Sequence, residues 1–168
     1  MQHTVLIVDD QPAIRNVLED ALSHEPYDIL YAASAEDALG ILTRHQVDVV
    51  ISDELMPGMS GSEFLAVVRR KYPDTIRIIL TGHASLESAI RAINEGEIYR
   101  FLTKPCNVLD LSVTIRHALQ QKDLMKENER LLQIVKQQSI SLQELEEQYP
   151  GITKVKRDAS GAIIIDDD

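Results

Sequence analysis

The chain has no tryptophan, two phenylalanines and a single cysteine, Cys106. One cysteine cannot close an intramolecular disulfide, so stability has to come from packing alone. With aromatics at 4% of the residues, the core must be built from Val, Ile, Leu and Ala, as in parallel sheets buried on both faces. No apolar run approaches the roughly 20 residues that span a bilayer. The opening Thr4-Val5-Leu6-Ile7-Val8 is too short for a signal peptide and passes directly into Asp9-Asp10. These absences predict a soluble, cytoplasmic chain with no membrane partner. A basic surplus is lacking too: the net charge is −10, with 10 basic and 17 acidic residues in 1–120 and 7 and 10 in 121–168. Direct nucleic-acid binding is therefore not expected.

What is present is a core's worth of aliphatic residues in a regular order. The 168 residues, 44% of them apolar, suit one domain of roughly 100–150 residues with an appendage. Apolar runs at Thr4 to Val8, Asp28 to Ala32, Val47 to Ser52, Ile76 to Leu80 and Tyr99 to Leu102 alternate with helical patterns near 11–23, 35–45, 61–71 and 85–95. Leu18, Ala21 and Leu22 mark the inner face of the first helix. Ala38, Leu39 and Leu42 mark that of the second, and Phe64, Leu65, Val67 and Val68 that of the third. Pro12, Ser34-Ala35-Glu36-Asp37 and Ser85-Leu86-Glu87 suit helix starts. Strict β-α alternation with short connections predicts an α/β fold: a doubly wound, five-stranded parallel sheet with right-handed crossovers, in the order 2-1-3-4-5.

From about Asn107 a helical pattern runs without a breaker to Gln148 and stops at Tyr149-Pro150-Gly151. At 1.5 Å per residue it is roughly 60 Å long, more than such a domain can cover, so an extended C-terminal helix is expected. A heptad frame passes through Leu124, Asn128, Leu131, Val135, Gln138, Leu142 and Leu145, and a frame through Met125, Leu132, Val135, Ser139 and Leu142 fits nearly as well. Charges at Lys122, Asp123, Lys126, Glu127, Glu129 and Arg130 suit its flanks. The pattern predicts a homodimer through a parallel coiled coil; a solitary amphipathic helix folding back on its domain is the alternative. Residues 1–121 then form the main domain, 122–148 the extended helix and 149–168 a tail. Ile152 to Arg157 and Ala162 to Ile165 in that tail read as a β-hairpin, marginal unless it pairs with something.

Chemistry-bearing residues collect at the strand ends. Asp53 closes the third apolar run before the loop Glu54-Leu55-Met56-Pro57-Gly58-Met59-Ser60-Gly61. In this topology the ends of strands 1 and 3 are neighbours, so Asp9 and Asp10 come beside Asp53 at the edge where ligands bind. Three close carboxylates call for a cation, and hard oxygen ligands suit Mg²⁺. Solvated helix caps, at Asp10 before Pro12 or at Asp53 itself, are the plainer alternative. Thr81 and Lys104 end the other two runs on the same side; an ammonium and a hydroxyl there can hold the oxygens of a phosphoryl group.

With these residues in place, the chain resembles the receiver domain of two-component response regulators over about residues 4–121. The matching segments are Val8-Asp9-Asp10, Ile51-Ser52-Asp53-Glu54-Leu55-Met56-Pro57-Gly58-Met59-Ser60-Gly61, Leu80-Thr81-Gly82 and Phe101-Leu102-Thr103-Lys104-Pro105. The resemblance implies that Asp53 accepts phosphate from a phosphohistidine on a sensor histidine kinase or phosphotransfer protein. It also implies that Asp10, Asp53 and the backbone carbonyl of Leu55 ligate Mg²⁺, with Asp9 acting through water. Thr81 and Lys104 would hold phosphoryl oxygens, and a cis peptide is expected at Lys104-Pro105. Phe101 matches the family's switch aromatic, with a core Phe as the alternative; a Phe where Tyr is commoner lacks a hydroxyl for partner contacts. Leu55 and His83 fall where the family tunes phosphate lifetime, though His83 also suits an exposed loop and Cys106 an inert thiol.

Three functions follow. The first is a phospho-switched dimeric adaptor, not itself an enzyme, that signals to a downstream protein partner. The second is the regulatory front of a longer regulator with an enzymatic output such as a cyclic-dinucleotide phosphodiesterase or cyclase. The third, a phosphoaspartyl hydrolase, needs an acid two residues after the nucleophile, where Leu55 stands.

Overall fold

In the computed structural model of the protein, residues 2–82, 98–105 and 107–153 are described. The expected helix at 85–95, His83, Cys106 and most of the hairpin pattern lie outside them. Five strands are assigned among the described residues: β1 (His3–Val8), β2 (Tyr27–Ala32), β3 (Val49–Asp53), β4 (Ile76–Thr81) and β5 (Arg100–Thr103). They form one parallel sheet in the order β2-β1-β3-β4-β5, as the alternation predicts. The helices are α1 (Pro12–Leu22), α2 (Ala35–Leu42), α3 (Gly61–Lys71) and α4 (Val108–Gln148).

Side chains of alternating parity leave a strand on opposite faces. Val5, Ile7, Val49, Ile51, Ile78 and Leu80 accordingly join one buried cluster with Leu18 and Leu22 of α1 and Leu111, Ile115 and Ala118 of α4. Leu6, Val8, Val50 and Ile79 join the other with Ala38 and Leu42 of α2 and Phe64, Leu65 and Val68 of α3. Both faces of the central strands are covered, which is why β1 and β3 read as unbroken apolar runs. The inner face of α1 is Ile14, Leu18 and Leu22, four residues apart; Ala21, expected there, is exposed.

Local chemistry sets the helix starts. Ser34 caps α2 by accepting from the Asp37 N–H, and Ser60 and Glu63 form a reciprocal capping box on α3. Pro12 occupies the first turn of α1, whose N-cap, Gln11, makes no side-chain cap bond. Neither Asp10 nor Asp53 is therefore spent as the N-cap of these helices.

The chain divides into two compact units, 1–123 and 124–168. In the second, the α4 residues Leu124, Met125, Leu131, Leu132, Val135, Ile140, Leu142 and Leu145 are all exposed. Near the end of α4, Glu146 accepts from the Gly151 and Thr153 N–H groups that follow the helix. Gly151 takes φ 96°, a conformation open to glycine at little cost. No described helix is long and apolar enough to cross a membrane.

Candidate functional site

The carboxyl edge of the sheet assembles residues 95 positions apart in the chain. Val8 pairs with Ser52 and Asp53 with Leu80, so Asp9, following β1, comes beside Asp53 at the end of β3. Thr81 pairs with Thr103, and the Lys104 N–H donates to the Thr81 carbonyl at 2.9 Å, which brings Lys104 to the same edge. The Lys104-Pro105 peptide is cis, as expected.

Lys104 Nζ lies 2.9 Å from Asp53 Oδ2 and 3.2 Å from Asp9 Oδ2. Burial opposes the ammonium charge, but the hydrogen bonds and charges of Asp53 and Asp9 outweigh it and hold Lys104 above its ordinary range. Asp9 is fully buried, and Asp53 and Thr81 are each 4% exposed. Backbone donors orient the acids: Gln11 N–H donates to Asp9 Oδ1 at 2.9 Å and Leu55 N–H to Asp53 Oδ1 at 3.3 Å.

One carboxylate oxygen each from Asp9, Asp10 and Asp53 lie within 4.8 Å of one another. Asp10 Oδ1 is buried and finds no hydrogen-bond donor among the described residues. A buried anionic oxygen without a donor is costly. An all-oxygen set this close, with one oxygen unsatisfied, fits a hard divalent cation such as Mg²⁺.

Leu55 itself is 68% exposed beside Asp53. Phe101 is partly buried against the cluster under α2 and α3 and pairs with Ile79, two residues before Thr81. The expected Asp9, Asp10, Asp53, Thr81 and Lys104 thus meet at one edge; Phe101 sits one layer below.

Gly61 ends the matching loop segment and carries no expected role of its own, yet it borders the site. A Cβ at Gly61 would fall on the backbone carbonyl of Asp53. The bare backbone is what lets α3 start directly beneath the site, while Glu54 turns away to accept from the Ser62 N–H at 2.9 Å and its hydroxyl at 2.7 Å. The loop sequence Gly58-Met59-Ser60-Gly61 held the signal, since two glycines around a capping serine imply a close approach. Lys122, expected on a solvated helix flank, is instead 5% exposed and bonded to Asp48, 5% exposed, at the opposite edge of the sheet.

Residues 5–116 match the model of the response regulator receiver domain. Among curated relatives, the hydrogenase transcriptional regulatory protein HoxA of Cupriavidus necator is 36% identical over 130 residues, covering 77% of this chain and 27% of HoxA. The chain spans about a quarter of the length of the curated relatives it matches. Among solved structures, the signal receiver domain of an HD domain-containing protein from Pseudomonas fluorescens Pf-5 is 40% identical with a TM-score of 0.69, covering 75% of this chain and 93% of that one. An adenylate cyclase structure from Rhodopirellula baltica is 33% identical with a TM-score of 0.74, covering 79% and 98%.

Proposed function

The chain belongs to the response-regulator receiver family, and from that premise we propose that Asp53 accepts a phosphoryl group from a phosphohistidine on a sensor histidine kinase or phosphotransfer protein. The observation that carries this is the buried Asp53 carboxylate held 2.9 Å from Lys104 Nζ, with Asp9 and Asp10 oxygens within 4.8 Å. An Asp53 oxygen forms the new bond to phosphorus as the phosphorus–nitrogen bond to the donor imidazole breaks, and that nitrogen keeps the electron pair. Little covalent work is left to the protein beyond positioning and charge neutralisation. Lys104 and Thr81 present an ammonium and a hydroxyl to the phosphoryl oxygens. Asp10, Asp53 and the Leu55 carbonyl would hold Mg²⁺ directly, with Asp9 acting through water. The bound cation supplies the positive charge that three carboxylates and a phosphoryl group require.

Phe101 turns inward when Thr81 moves toward the phosphoryl group, passing the local change from β4 to β5. Such a change shifts a population only by the phosphoryl group's differential affinity for the two states. Residues 1–121 act as the receiver and 122–148 as a parallel coiled coil, with 149–168 as a tail. The exposed Leu124, Leu131, Val135, Leu142 and Leu145 lie on one heptad frame, which supports pairing with a second copy. The chain is thus a phosphoacceptor with at most self-catalysed transfer and autodephosphorylation, and its output is a protein contact.

Incubation with a phosphorylated histidine phosphotransfer protein and Mg²⁺ tests the chemistry. Wild type takes up acid-labile phosphate and Asp53→Asn takes up none above background; equal uptake by both overturns the proposal. A second reading is favoured by the 27% coverage of HoxA: the chain as the receiver part of a longer regulator. Its output would be transcriptional, as HoxA is named, or enzymatic, as for the cyclase. Reading the gene past Asp168 separates the two.

A further inference from the structure

At the amino-terminal edge of the sheet, away from the phosphoacceptor, a second set of charged side chains is knit together. His3 opens β1, Asp48 precedes β3, and Lys122 and Asp123 belong to the last turn of α4 within the first compact unit. His3 Nδ1 is 3.2 Å from Asp48 Oδ2, and His3 Nε2 is 3.2 Å from Asp123 Oδ2. Lys122 Nζ is 3.3 Å from Asp48 Oδ1 and donates to the Asp74 carbonyl at 2.6 Å. The Thr4 N–H adds a donor to Asp48 at 3.1 Å.

We propose that His3, Asp48, Lys122 and Asp123 form a proton-operated clasp that ties the Lys122-Asp123 turn of α4 to the amino-terminal edge of the sheet. A neutral imidazole carries one N–H and one lone pair, whereas the imidazolium carries two N–H groups. With a carboxylate oxygen at each ring nitrogen, only the imidazolium makes two attractive contacts; a neutral ring turns its lone pair toward one carboxylate. Closing the clasp therefore binds a proton.

The groups around His3 make it the one that switches. Asp48 and Asp123 face its two nitrogens, and the Lys122 ammonium reaches the other oxygen of Asp48. On the neighbouring β2, Asp28 accepts from Gln2 at 2.8 Å. Burial raises the Asp48 carboxyl, but the Thr4 N–H, Lys122 and His3 outweigh it and leave it below its ordinary range. Asp48 thus stays ionised across the span of about pH 5 to 8 in which imidazoles change charge. The sign follows: the clasp is tight at the acidic end of that span and loses its Asp123 arm as pH rises. The proposal does not depend on phosphate transfer at Asp53.

Hydrogen exchange on the full chain tests it, following the amides of residues 119–124 and correcting for intrinsic chemical exchange. Because Asp123 is exposed, the expected change is modest: opening about two- to fivefold more frequent at pH 8 than at pH 5.5 in wild type. His3→Gln and Asp123→Asn each abolish that change. Imidazole ¹⁵N shifts of His3 supply an independent readout: their pH dependence differs between wild type and Asp123→Asn, and identical profiles in the two count against the Asp123 contact. Should His3→Gln fold poorly, Asp123→Asn, with a side chain 59% exposed, carries the comparison alone. A pH-independent wild type, or the same pH dependence surviving in the folded variants, overturns the proposal.

Discussion

Asp48 precedes β3 and Asp53 ends it; they are 5% and 4% exposed, and each lies within reach of a lysine ammonium. Their surroundings differ in satisfaction. Around Asp48, a lysine ammonium, an imidazole and a backbone N–H answer one carboxylate, and the lysine is itself bonded to a carbonyl. Around Asp53, among the described residues, one ammonium serves two of three carboxylates, and an oxygen of Asp10 has no donor. Equal burial thus serves opposite ends. A closed set of partners holds structure together, and an open one costs stability until a ligand completes it.

The largest effect is expected from breaking the closed end. Lys122→Met takes the ammonium away from the buried Asp48 carboxylate and should destabilise the fold by about 3 kcal/mol, seen as a lower urea midpoint at unchanged slope. The acid limb of stability should change as well in Asp48→Asn. Because the folded-state Asp48 carboxyl is lowered, its contribution is present above the unfolded carboxylate range and lost as pH falls toward the lowered value. Wild type should therefore lose stability more steeply on acidification than Asp48→Asn.

At the open end the expected changes come from completing the set. Mg²⁺ at a hundredfold its dissociation constant should stabilise wild type by about 2.7 kcal/mol, by mass action on the folded state alone. Asp10→Asn should abolish that increment and Asp48→Asn should leave it intact, which denaturant melts with and without Mg²⁺ can resolve. An increment that vanished in both would show that the two ends are not independent. Somewhat smaller, at about 2 kcal/mol, is the expected cost of Gly61→Ala, because the added methyl meets the Asp53 backbone rather than a side chain able to rotate away. Phosphate uptake should slow in the same variant.

The two ends were unequally legible in the sequence. Asp9, Asp10, Asp53, Thr81 and Lys104 each follow or end an apolar run, so strand order alone brings them to one edge. The closed end gave no such signal. Lys122 falls in a charged stretch of helix where its neighbours are solvated, and only three-dimensional packing shows it turned inward. Asp48, an acid set between Val47 and Val49, was a sign of a buried partner, but the sequence does not say which cation supplies it. Ala21 failed for a related reason: the helical period allows several apolar faces, and the sheet selects Ile14, Leu18 and Leu22.

The smallest expected effect separates the two ends by sign. Without divalent cation, Asp10→Asn removes one of three charges within 4.8 Å and gives the orphaned oxygen's site an amide. Two unit charges at that spacing repel by about 1 kcal/mol even at the dielectric of water. Asp10→Asn should therefore raise stability by about that amount, whereas Asp48→Asn, at equal or deeper burial, should lower it. Urea melts in chelator at pH 7 measure both. If Asp10→Asn proved destabilising in chelator, the acidic edge would be satisfied as it stands, and the case for a cation there would fall with the contrast.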